Sequence, residues 1–329
     1  MRAPEFWAGR DYMARLAIAA LTPIGWAYGA TVAYKAAHAK PYRSKAKVIC
    51  VGNLTAGGTG KTPVAIGIAR DFVERRRNTF LLTRGYGGRM RGPALVVACK
   101  HLARDVGDET LLLAAAAPTI VSRDRAAGAR LAEAQGADVI VMDDGHQNFS
   151  LEKDLTLVVV DVEQGFGNGH MIPAGPLRER VSQGLARADA AILLGDRDFC
   201  LPFDRPVLRA RLIPTATESF AGQRAVAFAG IGRPDKFFNT LQRSGAEIVA
   251  RFSFPDHHVY SVTELAQLRA TARASQAILV TTEKDYVRLT PVDREDVHYA
   301  PVRAEFSDPG ALDRLLDRVA GGSIENVPA

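Results

Sequence analysis

Cysteine is scarce in this sequence, with Cys50, Cys99 and Cys200 its only three, set far apart. That number and scatter exclude a disulfide framework and a cysteine-rich zinc site, and a reducing compartment is the default. Aromatic residues make up only 7%, and no stretch is compositionally degenerate, which excludes collagenous, repetitive and disordered classes. Charge of one sign hardly accumulates beyond the N-terminal end. Of the net +6, a share of +5 falls on residues 1–45, where Arg2, Arg10, Arg15, Lys35, Lys40, Arg43 and Lys45 oppose Glu5 and Asp11. The rest is almost neutral, which argues against a nucleic-acid-binding body. What is present is 329 residues with 47% hydrophobic content, enough for one large core or two smaller ones.

Between Arg15 and Lys35 lie nineteen uncharged residues, Leu16 to Tyr34, with Trp26, Tyr28 and Tyr34 among them. Nineteen is near the lower limit for spanning a bilayer, and Pro23, Gly25 and Gly29 are expected to interrupt a helix there. A cleaved signal peptide is the rival reading, but it fits poorly before a motif that needs cytosolic ATP. An interfacial helix, with apolar side chains in lipid and Arg/Lys at anionic headgroups, is favoured. A helix packed on the protein's own core is the next alternative.

Lys47–Val51 is an apolar β-branched run that reads as a buried strand. It runs into Gly52-Asn53-Leu54-Thr55-Ala56-Gly57-Gly58-Thr59-Gly60-Lys61-Thr62, after which Pro63 opens an apolar-periodic helix to about Arg76. Strand, glycine loop, Lys-Thr and helix form the context that a phosphate-binding P-loop requires. The backbone from Thr55 to Gly60 would close around phosphate oxygens, aided by the helix N-terminus. Lys61 would reach the β- and γ-phosphates, and the Thr62 hydroxyl would ligate Mg²⁺. Thr55 stands where the motif has its first glycine. Ala56 replaces the second-position lysine of ParA/MinD-like ATPases, and Thr282-Glu283-Lys284-Asp285 has the wrong spacing for a guanine-reading motif.

Several further segments carry chemistry. Asp138–Met142 reads as a strand ending in Asp143-Asp144-Gly145-His146-Gln147, where a Walker-B-type acidic residue is expected. Asp108 and Glu109 precede a helix expected from about Thr110, and by spacing alone they read as helix-start carboxylates. His257 and His258 follow a strand at 248–254; base, bystander and metal ligand all stay open, metal being the weakest. Arg84 and Tyr86 lie in a glycine loop after a strand at 79–82, and Arg178 in a Gly/Pro-rich loop suits phosphate or a surface ion pair.

In this order, GNLTAGGTGKTP, TRGYGG, VGDE, DDGHQ, PAGPLRE and PDHH resemble the tetraacyldisaccharide 4′-kinase family across essentially the whole chain, through TTEKDYVRL at 281–289. The resemblance implies an α/β P-loop fold with a mainly parallel sheet, a kinase lobe at 46–220, a smaller α/β lobe at 221–329 and a membrane-associating segment at 1–45. It implies ATP and Mg²⁺ as cofactors and phosphorylation of the 4′-hydroxyl of an acylated glucosamine disaccharide 1-phosphate. The place implied is the cytoplasmic face of the bacterial inner membrane, on its anionic lipid surface, with no obligate protein partner. Asp108 and His257 look like a dyad, Asp108 taking the hydroxyl proton and Lys61 stabilising transition-state charge. Glu109, Asp143, Asp144 and Gln147 look like Mg²⁺ and phosphate-site residues beside Thr62, and Arg84, Tyr86 and Arg178 like substrate residues. Departures are His146 for the family's common Phe and Asn148 for a frequent His. Two other classes remain: a P-loop ATPase acting on a protein partner, and a soluble small-molecule kinase.

Overall fold

The computed structural model describes residues 4–9, 11–215 and 220–320; Arg2 and Arg10 of the basic segment lie outside them. The chain first forms α1 (Tyr12–His38), then β1 (Lys47–Gly52), α2 (Lys61–Glu74), β2 (Thr79–Thr83), β3 (Ala94–Leu95), α3 (Ala103–Val106) and α4 (Asp108–Ala114). Next come β4 (Thr119–Val121), α5 (Arg125–Ala134), β5 (Val139–Asp143), β6 (Leu155–Asp161), α6 (Val181–Ala186), β7 (Ala190–Leu194) and β8 (Val207–Pro214). A second series follows: β9 (Arg224–Ala229), α7 (Pro234–Arg243), β10 (Glu247–Ser253), α8 (Val262–Ala274), β11 (Ile278–Thr282), α9 (Glu283–Tyr286) and β12 (Val297–Ala300). The described chain ends with β13 (Val302–Phe306) and α10 (Pro309–Ala320).

Among the described residues the large sheet runs β13-β8-β7-β6-β1-β5-β2-β4-β3, parallel except for its two edge pairs, β13 with β8 and β3 with β4. Its central strands are continuous Val/Ile/Leu runs because helices cover both faces: β5 and β6 are buried at every position. One face packs Ile49, Val51 and Leu157 against Val64, Ile68 and Phe72 of α2; the other packs Val48, Cys50 and Ile140 against Ala129 and Ala132 of α5. β1 lies between β6 and β5, where the strand order turns from one direction to the other. Ligands of open α/β sheets bind at the carboxyl ends of strands at such a switch point.

The second sheet, β10-β9-β11-β12, is parallel throughout. Its two faces bury Phe237, Phe238 and Leu241 of α7, and Leu265, Leu268 and Ala272 of α8. The sequence reading places all of 221–329 in this smaller unit, but the chain returns. β13 pairs antiparallel with β8, and Leu312, Leu315 and Leu316 of α10 join the core around α2. Arg75 at the end of α2 fixes that return, reaching Asp317 at 2.5 Å, Asp313 at 2.6 Å and Asp71 at 2.8 Å.

The expected interruption of the N-terminal helix does not occur: α1 runs unbroken through Pro23, Gly25 and Gly29. The two glycines instead form its docking stripe. A Cβ at Gly25 would stand 2.9 Å from the Met171 carbonyl oxygen, and one at Gly29 would overlap the Met171 sulfur. Trp7 Nε1 donates to the Pro173 carbonyl at 3.0 Å, and Thr22 Oγ1 lies 3.1 Å from His170 Nδ1. The opposite side leaves Tyr12, Met13, Ile24, Trp26 and Tyr34 exposed. By length and composition α1 is apolar enough to cross a membrane. Gly25→Leu is expected to cost about 1–3 kcal/mol of stability in denaturant unfolding through overpacking, whereas Ala30→Leu on the exposed side should be close to neutral. Equal effects of the two would contradict docking through the glycine stripe.

Candidate active site

The loop after β1 is shaped by hydrogen bonds from the Asn53 and Gln147 side chains and by backbone bonds to the 176–178 segment. Buried Asn53 donates from Nδ2 to the Thr55 carbonyl at 2.7 Å and to Thr59 Oγ1 at 3.0 Å. Gln147 donates to the Asn53 carbonyl at 2.9 Å, the Arg178 N–H to Leu54 O at 2.8 Å, and the Ala56 N–H to Pro176 O at 2.7 Å. Thr55, the departure from the motif, is bridged to Leu177. The tip stays open, since a Cβ at Gly57 or Gly58 would meet nothing within 4 Å. α2 begins at Lys61 rather than Pro63, so Pro63 falls in the first turn, where a helix N–H lacks an internal partner anyway. Lys61 and Thr62 are both buried beside the acidic end of β5.

Asp143 closes β5, and Asp144 follows with a left-handed backbone, φ 53°. The adjacent carboxylates have opposite surroundings. Burial pushes Asp144 up, but Lys61 at 3.8 Å and Arg178 at 2.6 Å outweigh it and hold its pKa at about 2. Burial also pushes Asp143 up, and there the neighbouring Glu109 and Asp144 charges add to it, so it stands well above the usual carboxylate range. Thr62 Oγ1 donates to Asp143 Oδ2 at 3.2 Å, while Asp143 Oδ1 has no hydrogen-bond partner among the described residues. A free, buried carboxylate oxygen beside a threonine hydroxyl fits a small hard cation. Among the described residues no cluster of three or more His, Cys, Asp or Glu side chains could hold a metal alone. Mg²⁺ is held in that way, by one or two carboxylates together with substrate phosphates and water.

The other acidic candidates are differently engaged. Glu109 accepts from Lys284 Nζ, whose charge, with that of Lys61, outweighs the effect of burial and lowers the Glu109 pKa. Gln147 Oε1 accepts from Arg178 Nη1 at 3.3 Å, and its Nε2 donates to Glu179 Oε1 at 3.0 Å. Arg178 therefore orders Asp144 and Gln147, and the loop carrying it is the one on which α1 docks. His146 fills a buried packing position under Gly52, and burial, helped by Lys153 and Arg187, lowers its pKa to about 3. It stays a neutral imidazole donating from Nε2 to Gly184 O at 3.0 Å.

Asp108 and His257 are 149 positions apart in sequence and joined in space. α4 starts at Asp108 rather than Thr110, and Gly107 before it has φ 90° and presses on the Tyr86 carbonyl, where a Cβ would stand 2.3 Å away. Only glycine fits that turn. Asp108 Oδ1 accepts from the Glu109 N–H at 2.9 Å, the helix-start role read from spacing. Its Oδ2 accepts from His257 Nδ1 at 3.0 Å. A carboxylate accepts only, so Nδ1 carries a proton, and in the neutral tautomer the lone pair is on Nε2. His257 sits in the left-handed region, φ 59°, with its N–H on Gly230 O at 3.1 Å.

The sequence reading gave no role to two cations that meet these carboxylates. Arg288 donates to Asp108 Oδ2 from Nε at 3.0 Å and also from Nη2, and Lys284 reaches Glu109. Their signal was limited to two cations close together in sequence, Lys284 inside the one-turn helix Glu283–Tyr286 and Arg288 in the turn just after it. Burial pushes Asp108 up, yet the His257 hydrogen bond and the Arg288 charge outweigh it and hold it far below the ordinary carboxylate range. Tyr86 is exposed with its ring 5.8 Å from that of His257, and Arg84 is exposed in the same loop.

Fold and site together define the class: an α/β protein of P-loop NTPase type, with a second, smaller parallel sheet supplying residues to the same cleft. The comparisons narrow it. The family description Tetraacyldisaccharide-1-P 4′-kinase matches residues 17–320. Tetraacyldisaccharide 4′-kinase of Gluconacetobacter diazotrophicus is 51% identical over 324 residues, covering 96% of this chain and 98% of that one. The Rhodospirillum centenum enzyme of the same name is 48% identical, covering 99% of each. The crystal structure of LpxK from Aquifex aeolicus in complex with ATP shares the fold, with a TM-score of 0.76 at 24% identity over 92% of this chain and 99% of that one. The chain belongs to the tetraacyldisaccharide 4′-kinase family.

A raised carboxyl pKa in the fold favours the folded state at low pH, and that contribution is lost as pH rises through the folded value. Asp143→Asn is therefore expected to raise the thermal midpoint at pH 8 in metal-free buffer, by the equivalent of about 1 kcal/mol, and to lose that advantage at pH 5. Calorimetry at both pH values checks this; a lower midpoint for the variant at pH 8 would contradict it.

Proposed function

We propose that this site carries out its family's reaction, transfer of the γ-phosphoryl group of ATP to the 4′-hydroxyl of tetraacyldisaccharide 1-phosphate. The observation that carries the reading is the meeting of a lysine-threonine loop and a histidine through consecutive carboxylates: Glu109 feels the Lys61 charge, and Asp108 holds His257, whose Nε2 makes no hydrogen bond among the described residues. The Thr55–Gly60 backbone and the start of α2 cradle the phosphates, and Lys61 balances charge on the transferred group. Asp143 and Thr62 are the residues that would hold Mg²⁺, which supplies neutralisation of phosphate charge. Asp144, Gln147 and Arg178 pre-order the phosphate side, and Arg84 and Tyr86 line the acceptor side.

The proton acceptor is His257 rather than Asp108. Asp108 Oδ2 already takes bonds from His257 and from Arg288. That carboxylate is a poor base, but it fixes the imidazole tautomer and stabilises the imidazolium. As the 4′-oxygen forms its bond to the γ-phosphorus, its proton passes to His257 Nε2. The bond from that phosphorus to the bridging oxygen breaks, and ADP leaves with that electron pair.

The two sheets act as lobes that meet over the acceptor, and closure over both substrates would exclude water. α1 lies on the anionic cytoplasmic surface of the inner membrane. Its exposed Trp26, Ile24 and Met13 enter the lipid, and Arg15, Lys35 and Lys40 meet headgroups.

The test is transfer of label from γ-labelled ATP to the disaccharide lipid in mixed micelles. Lys61→Ala should abolish lipid labelling. His257→Gln is expected to lower kcat by roughly 10²–10⁴-fold with little change in KM for ATP. ATP binding without lipid labelling by the native protein would sink the acceptor assignment, and full kcat in His257→Gln would sink the base.

A further inference from the structure

The segment after β11 sends two cations across to two consecutive carboxylates, Lys284 to Glu109 and Arg288 to Asp108. The two ends of that contact differ in how firmly they are built. Lys284 is held by Glu109, whereas Arg288 is itself locked in place by its own lobe. Arg288 Nη1 donates to Gly230 O at 2.7 Å and to Asp285 Oδ1 at 2.8 Å. Asp285 is buried and in turn accepts from Tyr260 OH at 2.8 Å, from Thr282 Oγ1 at 2.5 Å and from the Gly230 N–H at 3.1 Å. The same Gly230 carbonyl receives the His257 N–H. The guanidinium and the imidazole thus hang from one frame, Gly230 and Asp285 at the carboxyl ends of β9 and β11. Both point at one oxygen of Asp108, and Arg288 Nη2 lies 3.4 Å from His257 Nδ1.

We propose that Arg288 is a positioning residue for phosphoryl transfer: its guanidinium fixes the rotamer of Asp108 against the small lobe, so that His257 Nε2 is aimed at the acceptor hydroxyl. The proposal rests on His257 as the proton acceptor. A planar guanidinium can bond one carboxylate oxygen through Nε and Nη2 while Nη1 stays on Asp285 and Gly230. An ammonium offers no such fork, so lysine cannot make both sets of bonds. Among the described residues the charged and titratable groups against His257 are Asp108 from α4, Arg288 beyond β11 with Asp285 behind it, Asp256 in its own loop with Oδ2 3.8 Å from Nε2, and the Tyr86 ring. Removing the guanidinium takes away a positive neighbour and leaves Asp108 to the imidazole alone. Both changes favour the imidazolium.

The experiment is the pH dependence of kcat and of KM for ATP in the full-length wild type, Arg288→Gln, Arg288→Lys and His257→Gln, using the lipid-transfer assay. Arg288→Gln is expected to lower kcat by tenfold or more at its optimum and leave KM for ATP within twofold. Its acidic limb should move to higher pH by roughly half a unit to one unit. Arg288→Lys should keep its acidic limb closer to that of wild type yet recover little of kcat, because charge is restored and the fork is not. If burial of glutamine prevents folding, seen as a lost thermal transition, Arg288→Lys alone decides: wild-type kcat overturns the proposal and a tenfold loss sustains it. An Arg288→Gln protein that folds, with kcat within twofold of wild type and an unmoved limb, also overturns it. Failure of the underlying reading shows elsewhere, as a wild-type acidic limb persisting in His257→Gln.

Discussion

The Asp108 carboxylate is buried where the two sheets meet, and a buried carboxylate is costly unless it is charged-paired and fully hydrogen-bonded. Every donor to its Oδ2 comes from the smaller sheet, while its Oδ1 caps the first turn of α4 on the larger one. That division makes one side chain the joint of the cleft. It fixes how the residues beyond β9, β10 and β11 face the phosphate loop, and it sets the histidine tautomer in the same contact. Removing Asp108 would leave the buried Arg288 guanidinium without that carboxylate, a loss that exceeds what forming the pair gains.

At the carboxyl end of β5 the arrangement separates two carboxylates that are adjacent in sequence. Asp144 faces Lys61 and Arg178 and stays ionised, whereas Asp143 faces other carboxylates and leaves one oxygen unpartnered. Among the described residues that oxygen is one of five buried side-chain polar atoms without a hydrogen-bond partner, and it is the one whose carboxylate lies beside the Thr62 hydroxyl. The loop between Met171 and Arg178 connects this region to α1, so the apolar helix and the Asp144 carboxylate share a common support. Arg178 ends that loop on the other side, with its N–H on Leu54 O and its guanidinium on Asp144.

Much of this was legible in sequence where the determinants are contiguous. Strand, glycine loop and Lys-Thr occur within about sixteen residues, and the β-branched runs of β1 and β5 announce strands buried on both faces. The joint was not legible from spacing: Asp108 read as a helix-start carboxylate, a role its Oδ1 does fill, because its other partner is 149 residues away. Family resemblance supplied that pairing, and the Oδ2 contacts are the reason the proposal gives the proton to His257 instead of Asp108. Arg288 and Lys284 escaped because a charged segment after a strand looks like a solvated face until the opposing lobe is in view. Pro23, Gly25 and Gly29 misled in the other direction. Their low helix propensity is real, but the glycines allow close approach to Met171, and tertiary contact overrides propensity. The return of β13 and α10 escaped for a related reason, since a short half-buried edge strand gives no hint of which sheet it will join.

The most direct test of the account is a double-mutant cycle on kcat for lipid phosphorylation, using Asp108→Asn, His257→Gln and the two combined. Residues that act as one unit give strongly non-additive losses, so the double variant should be little worse than the more damaged single one. Losses that instead multiply, as for independent sites, would contradict a shared joint between the lobes and with it the role given to Asp108.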